Sequence, residues 1–102
     1  VYDLETETDL TPTKIFDDGD VSVEQLQPAE CLAPIVERLA PLTQAHELTI
    51  VLGGNNAVTR PCVHALDQTL MRVGVLTLDA HFDLRDTDCG LTNGNPLQAL
   101  LE

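Results

Sequence analysis

The hydrophobic positions of the chain form two kinds of run, short continuous ones and longer periodic ones. Continuous apolar runs at 48–52 (LTIVL) and 73–78 (VGVLTL) are typical of strands that are buried on both faces of a parallel sheet. Between residues 28 and 46 the apolar residues recur at steps of three and four, which predicts an amphipathic helix. The stretch 57–72 has the same periodicity and predicts a second helix.

The order of these elements indicates an α/β fold. A strand, a helix and a strand within about 30 residues match the size of a βαβ unit, for which a right-handed crossover is expected. Ligands of such sheets bind beyond the carboxyl ends of the strands. The segments that follow the two predicted strands, 53–56 (GGNN) and 79–83 (DAHFD), are therefore expected to lie near each other.

Prolines and turn residues set the expected bounds of these elements. Pro61 is expected in the first turn of the second helix, whereas Pro34 and Pro41 would split or kink the first. Asp17–Asp20 (DDGD) predicts a turn between two short strands. Residues 1–16 are expected to form a poorly ordered arm, because their first part is acidic and rich in threonine.

The charge of the chain restricts its partners. Its 17 acidic and 5 basic residues give a net charge of −12, which argues against nucleic acid and against an anionic membrane surface. No apolar run reaches the roughly 18 residues that a membrane helix needs, and no signal-peptide pattern is visible. Cys31, Cys62 and Cys89 are widely spaced and form no CxxC pair, which favours a reduced, cytoplasmic protein.

Both ends of the sequence indicate a piece of something longer. The chain begins without Met, and it stops at 95–102 (NPLQALLE), where an apparent helix has just begun. Two or three strands with two helices would also leave sheet edges open. The expectation from the residues is therefore a partial α/β domain.

Asp79, His81 and Asp83 are the strongest candidates for a chemical role. In an extended chain these alternate positions would lie on one side. Two carboxylates about 4 Å apart repel by about 4 kcal/mol at an effective dielectric constant of about 20, and a divalent cation removes that cost. Carboxylate with imidazole suits manganese, zinc or iron. The alternative is a solvated loop with an unrelated histidine, or aspartates that cap the next helix, and spacing alone leaves both open.

The segment 53–56 (GGNN) carries a weaker signal. It matches neither a P-loop nor the GxGxxG pattern. Taken alone, it favours a tight strand-to-helix turn in which Asn55 or Asn56 is the N-cap.

Together these segments resemble the ureohydrolases, the group that contains arginases, agmatinases and formimidoylglutamases. The similar features are a strand ending in Gly-Gly, a strand ending in Asp-Ala-His-x-Asp (79–83), and a Gly-x-Pro loop (94–96) that opens a helix. The upstream stretch 16–21 (FDDGDV) is also similar to the family. The segment 79–85 (DAHFDLR) resembles formimidoylglutamases more than arginases. The likeness covers approximately residues 17–102.

The resemblance implies a three-layer α/β/α sandwich with a parallel sheet, of which residues 1–102 would be the N-terminal fragment of a single domain. It implies a cytoplasmic, homo-oligomeric, manganese-dependent C–N hydrolase. The implied substrate is a small formimino- or guanidino-carboxylate such as formimidoylglutamate.

The resemblance also assigns roles to individual residues. In a centre with two manganese ions, Asp79 would bridge both ions, Asp83 would bind one and His81 the other. Arg85 would hold a substrate carboxylate by a bidentate pair. A salt bridge from Arg85 to Asp83, Asp86 or Asp88 is an equally compatible alternative.

The sequence departs from the family pattern at two positions. Asn56 stands where the family has a metal-binding histidine, and Asn93 stands where arginases carry a candidate proton-shuttling histidine. A later Asp-x-Asp motif that supplies further ligands in the family does not occur in these residues. An alternative is therefore a non-catalytic ureohydrolase-fold protein with a weakened metal site. A third interpretation is an unrelated small α/β binding module.

Overall fold

The computed structural model describes residues 2–9 and 11–102, and three α-helices dominate this part of the chain. Val1 and Leu10, which belong to the predicted arm 1–16, lie outside the described residues. Among the described residues, no helix has the length and hydropathy that crossing a bilayer requires. The helices are α1 (Leu32–Ala45), α2 (Thr59–Leu66) and α3 (Gln98–Leu101), and a 3-10 turn (Asn56–Val58) leads into α2.

The described N-terminal residues form a short ribbon where the sequence predicts a poorly ordered arm. Strand β1 (Tyr2–Asp3) pairs antiparallel with strand β2 (Thr8–Asp9). The carboxylate of Asp3 accepts a hydrogen bond from the hydroxyl of Thr6 in the turn between the strands. Because this side chain satisfies a donor locally, the turn closes without support from the rest of the chain.

Helix α1 confirms the amphipathic helix predicted over 28–46, although it begins at Leu32. Pro34 lies in its first turn, where an amide needs no partner within the helix. Pro41 lies inside the helix, which nevertheless continues to Ala45. The split expected at these prolines therefore does not occur.

The hydrophobic core lies where α1 packs against α2. The hydroxyl of Thr43 on α1 donates to the carbonyl oxygen of Ala65 on α2 at 3.3 Å, which ties the two helices together beside the core. Burying each large aliphatic side chain contributes roughly 1.5–3 kcal/mol. This pair of helices therefore fixes the position of the residues that lead into α2. The core consists of buried Cys31, Ile35, Leu39 and Ala65, with partly buried Val21, Val23, Leu42, Val58 and Cys62 packed against them.

Helix α2 begins near its predicted start but ends earlier than the sequence predicts. Pro61 lies buried in its first turn, as expected. The helix ends at Leu66, before the predicted end at residue 72. The reason is that Asp67 accepts hydrogen bonds from the amides of Thr69 and Arg72, at 3.0 and 2.9 Å, which closes a turn in place of another helical turn.

The hydrogen bonds that the carboxylate of Asp67 accepts in this turn depend on pH. The hydroxyl and the amide of Thr69, followed by the amide of Arg72, lower the pKa of Asp67 below its ordinary value. Such a carboxylate stabilises the fold above its unfolded pKa of about 4, and the stabilisation is lost as the pH falls through the folded pKa. We expect Thr69→Val to raise the pKa of Asp67, measured by NMR titration of its carboxyl carbon.

Thr69→Ser is the matched control for this titration. It keeps the hydroxyl group and is expected to leave the pKa of Asp67 low. An Asp67 pKa that is the same in Thr69→Val and in the unaltered chain would show that the hydroxyl has no such effect.

At Asp17–Asp20, where a turn is predicted, the side chain of Asp17 closes an Asx-type turn, but the backbone forms no regular turn and the strands predicted on either side are not formed among the described residues. Asp17 accepts a hydrogen bond from the amide of Gly19 at 2.9 Å, and Gly19 has φ 77°, a conformation that glycine adopts without strain. Arg38 on α1 binds both the carbonyl and the carboxylate of Asp18, at 2.6 and 2.7 Å. These contacts hold the turn against α1.

The two predicted buried strands are also not formed among the described residues. Segments 48–52 and 73–78 pair with nothing in residues 2–9 and 11–102, where the β1–β2 ribbon is the only sheet. Their side chains are exposed, with Leu52 93% and Leu78 98% accessible. A strand is stabilised by hydrogen bonds to a neighbouring strand, and these two apolar segments have no such neighbour among the described residues. The predicted βαβ unit is therefore absent from this part of the molecule.

Candidate functional site

Three segments that carry the candidate residues meet beside the start of α2. Segment 53–56 contacts segment 79–85 through the side chains of Asn56 and Asp83, whose Nδ2 and Oδ2 atoms are 2.5 Å apart. Segment 92–96 contacts both of these segments. Its Asn93 carbonyl oxygen lies near the side chain of Asn56, and its Gly94 carbonyl oxygen accepts a hydrogen bond from the backbone amide of Arg85. The predicted proximity of 53–56 and 79–83 is thus confirmed, although no sheet brings it about.

The glycine–asparagine segment forms the tight turn that the sequence predicts. The Oδ1 atom of Asn55 accepts a hydrogen bond from the amide of Ala57 at 2.9 Å, which caps the 3-10 turn. A Cβ atom on Gly53 would lie 2.6 Å from Cγ2 of Val58, so the chain passes too close for a side chain there. The turn leaves the next residue, Asn56, beside the second segment.

Asn56 acts as a hydrogen-bond donor towards that segment. Its Nδ2 atom lies 2.5 Å from Oδ2 of Asp83 and 3.5 Å from the carbonyl oxygen of Asn93, and both of these oxygens can only accept. Its Oδ1 atom accepts from the hydroxyl of Thr59 at 2.8 Å. The opposite orientation of the amide would place oxygen against oxygen at Asp83, so these neighbours fix which end carries the NH2 group.

Asp83 departs from the extended conformation that the alternation of Asp79, His81 and Asp83 assumes. Its φ is 54°, in the left-handed region that aspartate tolerates better than most residues. Its carbonyl oxygen accepts from the amide of Gln98 at the start of α3, at 3.3 Å. The expectation that the three side chains share one side is wrong, because this bend gives Asp83 a different partner from the other two.

Asp79 and His81 form a separate, exposed pair. The Oδ1 atom of Asp79 accepts from the backbone amide of His81 at 2.9 Å and lies 3.3 Å from its Nδ1 atom. The backbone hydrogen bond is the main reason why the pKa of Asp79 lies below its ordinary value, with smaller contributions from the imidazole. The imidazole is 81% exposed, so the contact between the two side chains adds little to stability.

These donors offer a divalent cation two neighbouring ligands at most. Asp79 and His81 are adjacent and of the kinds that manganese and zinc bind. Asp83 and Asn56 fit poorly, since the amide presents its nitrogen, which has no lone pair for a cation, to the carboxylate. In the described part of the chain, no three His, Cys, Asp or Glu side chains converge on a point that could hold a metal ion.

Arg85 is held by the loop that precedes α3. Its amide donates to the carbonyl of Gly94 at 3.2 Å, and its side chain lies along this glycine. A Cβ atom at position 94 would come within 3.0 Å of Cδ and 3.2 Å of Nε of Arg85. Among residues 2–9 and 11–102, no carboxylate lies within 4.0 Å of the guanidinium, so the alternative salt bridges are not formed. The guanidinium remains open to an anionic ligand.

Asn95 holds this loop together, and the sequence reasoning does not single it out. It is 1% exposed. Its Nδ2 atom donates to the carbonyls of Asp86 and Gly90, both at 2.9 Å, and its Oδ1 atom accepts from the amide of Thr92 at 2.7 Å. The available signal was an asparagine just before a proline in a loop rich in Gly, Asp and Thr, because such a side chain can satisfy several backbone groups at once.

Comparison with known proteins places the chain in a family. The model of the arginase family matches residues 1–102. A formimidoylglutamase of Halalkalibacterium halodurans is 34% identical over 99% of this chain and 33% of its own length. A formimidoylglutamase of Bacillus subtilis is 29% identical with the same coverage, and an agmatinase of Bacillus cereus is 26% identical over 99% of the chain and 36% of its own length.

The chain belongs to the arginase family. This membership implies an α/β arginase fold. The chain spans about a third of the length of the curated relatives that it matches. No solved structure matches it significantly.

Proposed function

We propose that the full-length protein is a manganese-dependent hydrolase that cleaves a C–N bond of a formimino- or guanidino-carboxylate such as formimidoylglutamate. Water adds to the amidine carbon and the C–N bond breaks, so the products are an amine with formamide or urea. The observation that carries the proposal is the contact between Asp79 and His81, followed four residues further along the chain by Arg85, which has no carboxylate partner among the described residues. Membership of the arginase family and relatives called formimidoylglutamase agree with this chemistry.

Asp79 and His81 would hold the metal ion in this proposal. A manganese ion in such a site supplies Lewis-acid activation of water at neutral pH. The Oδ1 atom of Asp79 lies 3.3 Å from Nδ1 of His81, so the two side chains are close enough to bind one ion together. The amide of Asn93 cannot titrate and would orient a ligand by hydrogen bonding, without transferring a proton.

Arg85 would bind the carboxylate of the substrate. Its guanidinium has no carboxylate partner among the described residues, and its side chain lies beside Gly94. A guanidinium offers a planar pair of donors that matches a carboxylate. Recognition by Arg85 would therefore separate carboxylate-bearing amidines from neutral or cationic ones.

We also propose that the full-length protein completes the sheet that residues 1–102 leave unformed. In the full-length protein, segments 48–52 and 73–78 would join a parallel sheet at the centre of a three-layer α/β/α sandwich. Residues 1–102 would then be the N-terminal part of a single domain. We also propose that the full-length protein is a cytoplasmic homo-oligomer, because its three cysteines form no CxxC pair and the family resemblance implies an oligomer.

The test is hydrolysis by the full-length protein with manganese, followed by release of formamide, urea or ammonia. We expect Arg85→Gln to lower kcat/KM for formimidoylglutamate by about tenfold, since a hydrogen bond to a charged group contributes about 1.5–3 kcal/mol. A guanidine without a carboxylate should be hydrolysed equally by both proteins. Loss of activity on both substrates alike would argue against carboxylate binding by Arg85, and inactivity of the unaltered enzyme on every such compound would rule out the hydrolase.

A second candidate function is a non-catalytic family member that retains the fold and binds a small molecule. The observation in its favour is that the amide nitrogen of Asn56, which is not a metal ligand, donates to the carboxylate of Asp83. In that case, calorimetry on the full-length protein would detect binding of the amidine, and the hydrolysis assay would detect no release of formamide, urea or ammonia.

A further inference from the structure

The side chain of Arg85 packs against the one position in its neighbourhood that has no side chain, Gly94. The three atoms nearest to a Cβ added at position 94 are Cδ, Nε and Cζ of Arg85, at 3.0, 3.2 and 3.5 Å. The first two distances are shorter than the roughly 3.5–4.0 Å at which non-bonded carbon atoms attract each other best. A methyl group at position 94 would therefore displace the side chain of Arg85.

The backbone does not require a glycine at this position. Gly94 has no left-handed φ, in contrast to Gly90, whose φ is 93°. The amide of Gly94 donates to the hydroxyl of Thr92 at 3.2 Å, and an alanine would keep this hydrogen bond. Alanine at position 94 would thus meet no backbone strain, and its first obstacle would be the side chain of Arg85.

Hydrogen bonds fix the backbone of Gly94 relative to that of Arg85. The carbonyl of Gly94 accepts from the amide of Arg85 at 3.2 Å. The residues that follow these two are also joined, because the side chain of Asn95 donates to the carbonyl of Asp86 at 2.9 Å. With both backbones held, the exposed side chain of Arg85 is the part that gives way to an added methyl group.

The end of the Arg85 side chain remains available to a ligand. Its two terminal nitrogens lie farther from position 94 than Nε and Cζ do. Among residues 2–9 and 11–102, its guanidinium makes no hydrogen bond and no ion pair. The contact with Gly94 restricts the rotation of the stem, so less rotamer entropy is lost when the planar donors bind a carboxylate.

We propose that Gly94 is a positioning residue, which orients Arg85 for the carboxylate of a small ligand. The choice of an amidino-carboxylate as that ligand rests on the proposed function, whereas the orientation of Arg85 would serve any small carboxylate. Position 94 would then set how tightly ligands with a carboxylate bind and would have no effect on ligands without one.

The experiment compares Gly94→Ala with the unaltered full-length protein in two measurements. For hydrolysis of formimidoylglutamate, Gly94→Ala is expected to raise KM by about threefold or more with little change in kcat, because a misplaced binding group costs affinity. NMR follows the Nε–H signal of Arg85 during titration with glutarate, a dicarboxylate without an amidine group. The same change in this signal should require about threefold more glutarate, or a larger excess, in Gly94→Ala.

Two further variants show whether Gly94 acts through Arg85. Arg85→Ala has no side-chain atom beyond Cβ, so adding Gly94→Ala to it should cause no further loss of kcat/KM. Gly54→Ala is the matched control, because nothing lies within 4 Å of the added Cβ and its φ is not left-handed, and it should leave KM unchanged. If Gly94→Ala alone does not fold, the double variant should fold, since it lacks the clash. Failure of both to fold would overturn the inference.

The remaining outcomes separate this inference from the proposed function. An Arg85 signal that does not respond to glutarate, equal glutarate affinity with and without Gly94→Ala, or an equal loss on the Arg85→Ala background would each overturn the role of Gly94, even if the protein hydrolyses formimidoylglutamate. Weaker glutarate binding by Gly94→Ala in a protein that hydrolyses no amidine would support that role and contradict the proposed hydrolase.

Discussion

Asn95→Ala is expected to reduce the free energy of unfolding by about 3 kcal/mol, since it leaves three buried or partly buried backbone groups without their partners at about 1 kcal/mol or more each. Those groups are the carbonyls of Asp86 and Gly90 and the amide of Thr92. Asn95 is 1% exposed, so its three hydrogen bonds form at a side chain that is shielded from solvent in the folded loop. Urea unfolding gives the global change, and hydrogen exchange at the Thr92 amide gives the local one.

Asn95→Asp gives a second and more specific expectation. The shape and the acceptor for Thr92 are kept, but a carboxylate would face two carbonyl oxygens. The variant should therefore be less stable than Asn95→Ala at neutral pH and recover part of the loss in acid, where the protonated carboxyl group can donate. Asn93→Ala is the control, because the described contact of Asn93 uses its backbone carbonyl and its side chain is exposed. Equal losses for Asn93→Ala and Asn95→Ala would refute the role given to Asn95.

Gly53→Ala is the other substitution with a large expected effect. The added Cβ would lie 2.6 Å from Cγ2 of Val58, and the stiff, β-branched valine cannot rotate away freely. Overpacking of this kind typically costs about 1–3 kcal/mol. Val58 packs against the core between α1 and α2, so the strain should lower the thermal midpoint of the whole domain.

Two variants test whether the contact with Val58 is the cause. At Gly54 nothing lies within 4 Å of an added Cβ and φ is not in the left-handed region, so Gly54→Ala should change the free energy of unfolding little. In the double variant Gly53→Ala with Val58→Ala, the clash is gone, and the cost of Gly53→Ala measured on the Val58→Ala background should nearly vanish. If the cost is the same on both backgrounds, the effect arises elsewhere.

Periodicity predicted the helices well because their stabilising contacts are local. Helix α1 lies within the predicted 28–46, and Pro61 lies in the first turn of α2. The ends were less predictable, since Asp67 stops α2 through hydrogen bonds that only the folded turn reveals. The strands at 48–52 and 73–78 could not be judged from pattern at all, because a strand depends on a partner that may be far away in sequence.

The candidate site was predictable in its members but not in its arrangement. Motif resemblance selected four residues that form two contacting pairs in the structure. One pair is Asn56 with Asp83, and the other is Asp79 with His81. Simple alternation placed Asp83 with Asp79 and His81, but the left-handed backbone at Asp83 departs from the extended conformation that this alternation assumes. Asn95 was missed, since an asparagine before a proline indicates a turn but does not show which backbone groups the side chain will bind.

The position of the core has a consequence for the order in which the chain folds. The core residues that join α1 to α2 include none from segments 48–52 or 73–78. The contact between Thr43 and Ala65 spans 22 residues, and the entropic cost of closing such a loop rises only slowly with its length. We therefore expect the pair of helices to form first, as a platform that keeps the candidate residues at the start of α2 in place, and any sheet built from the apolar segments to assemble afterwards.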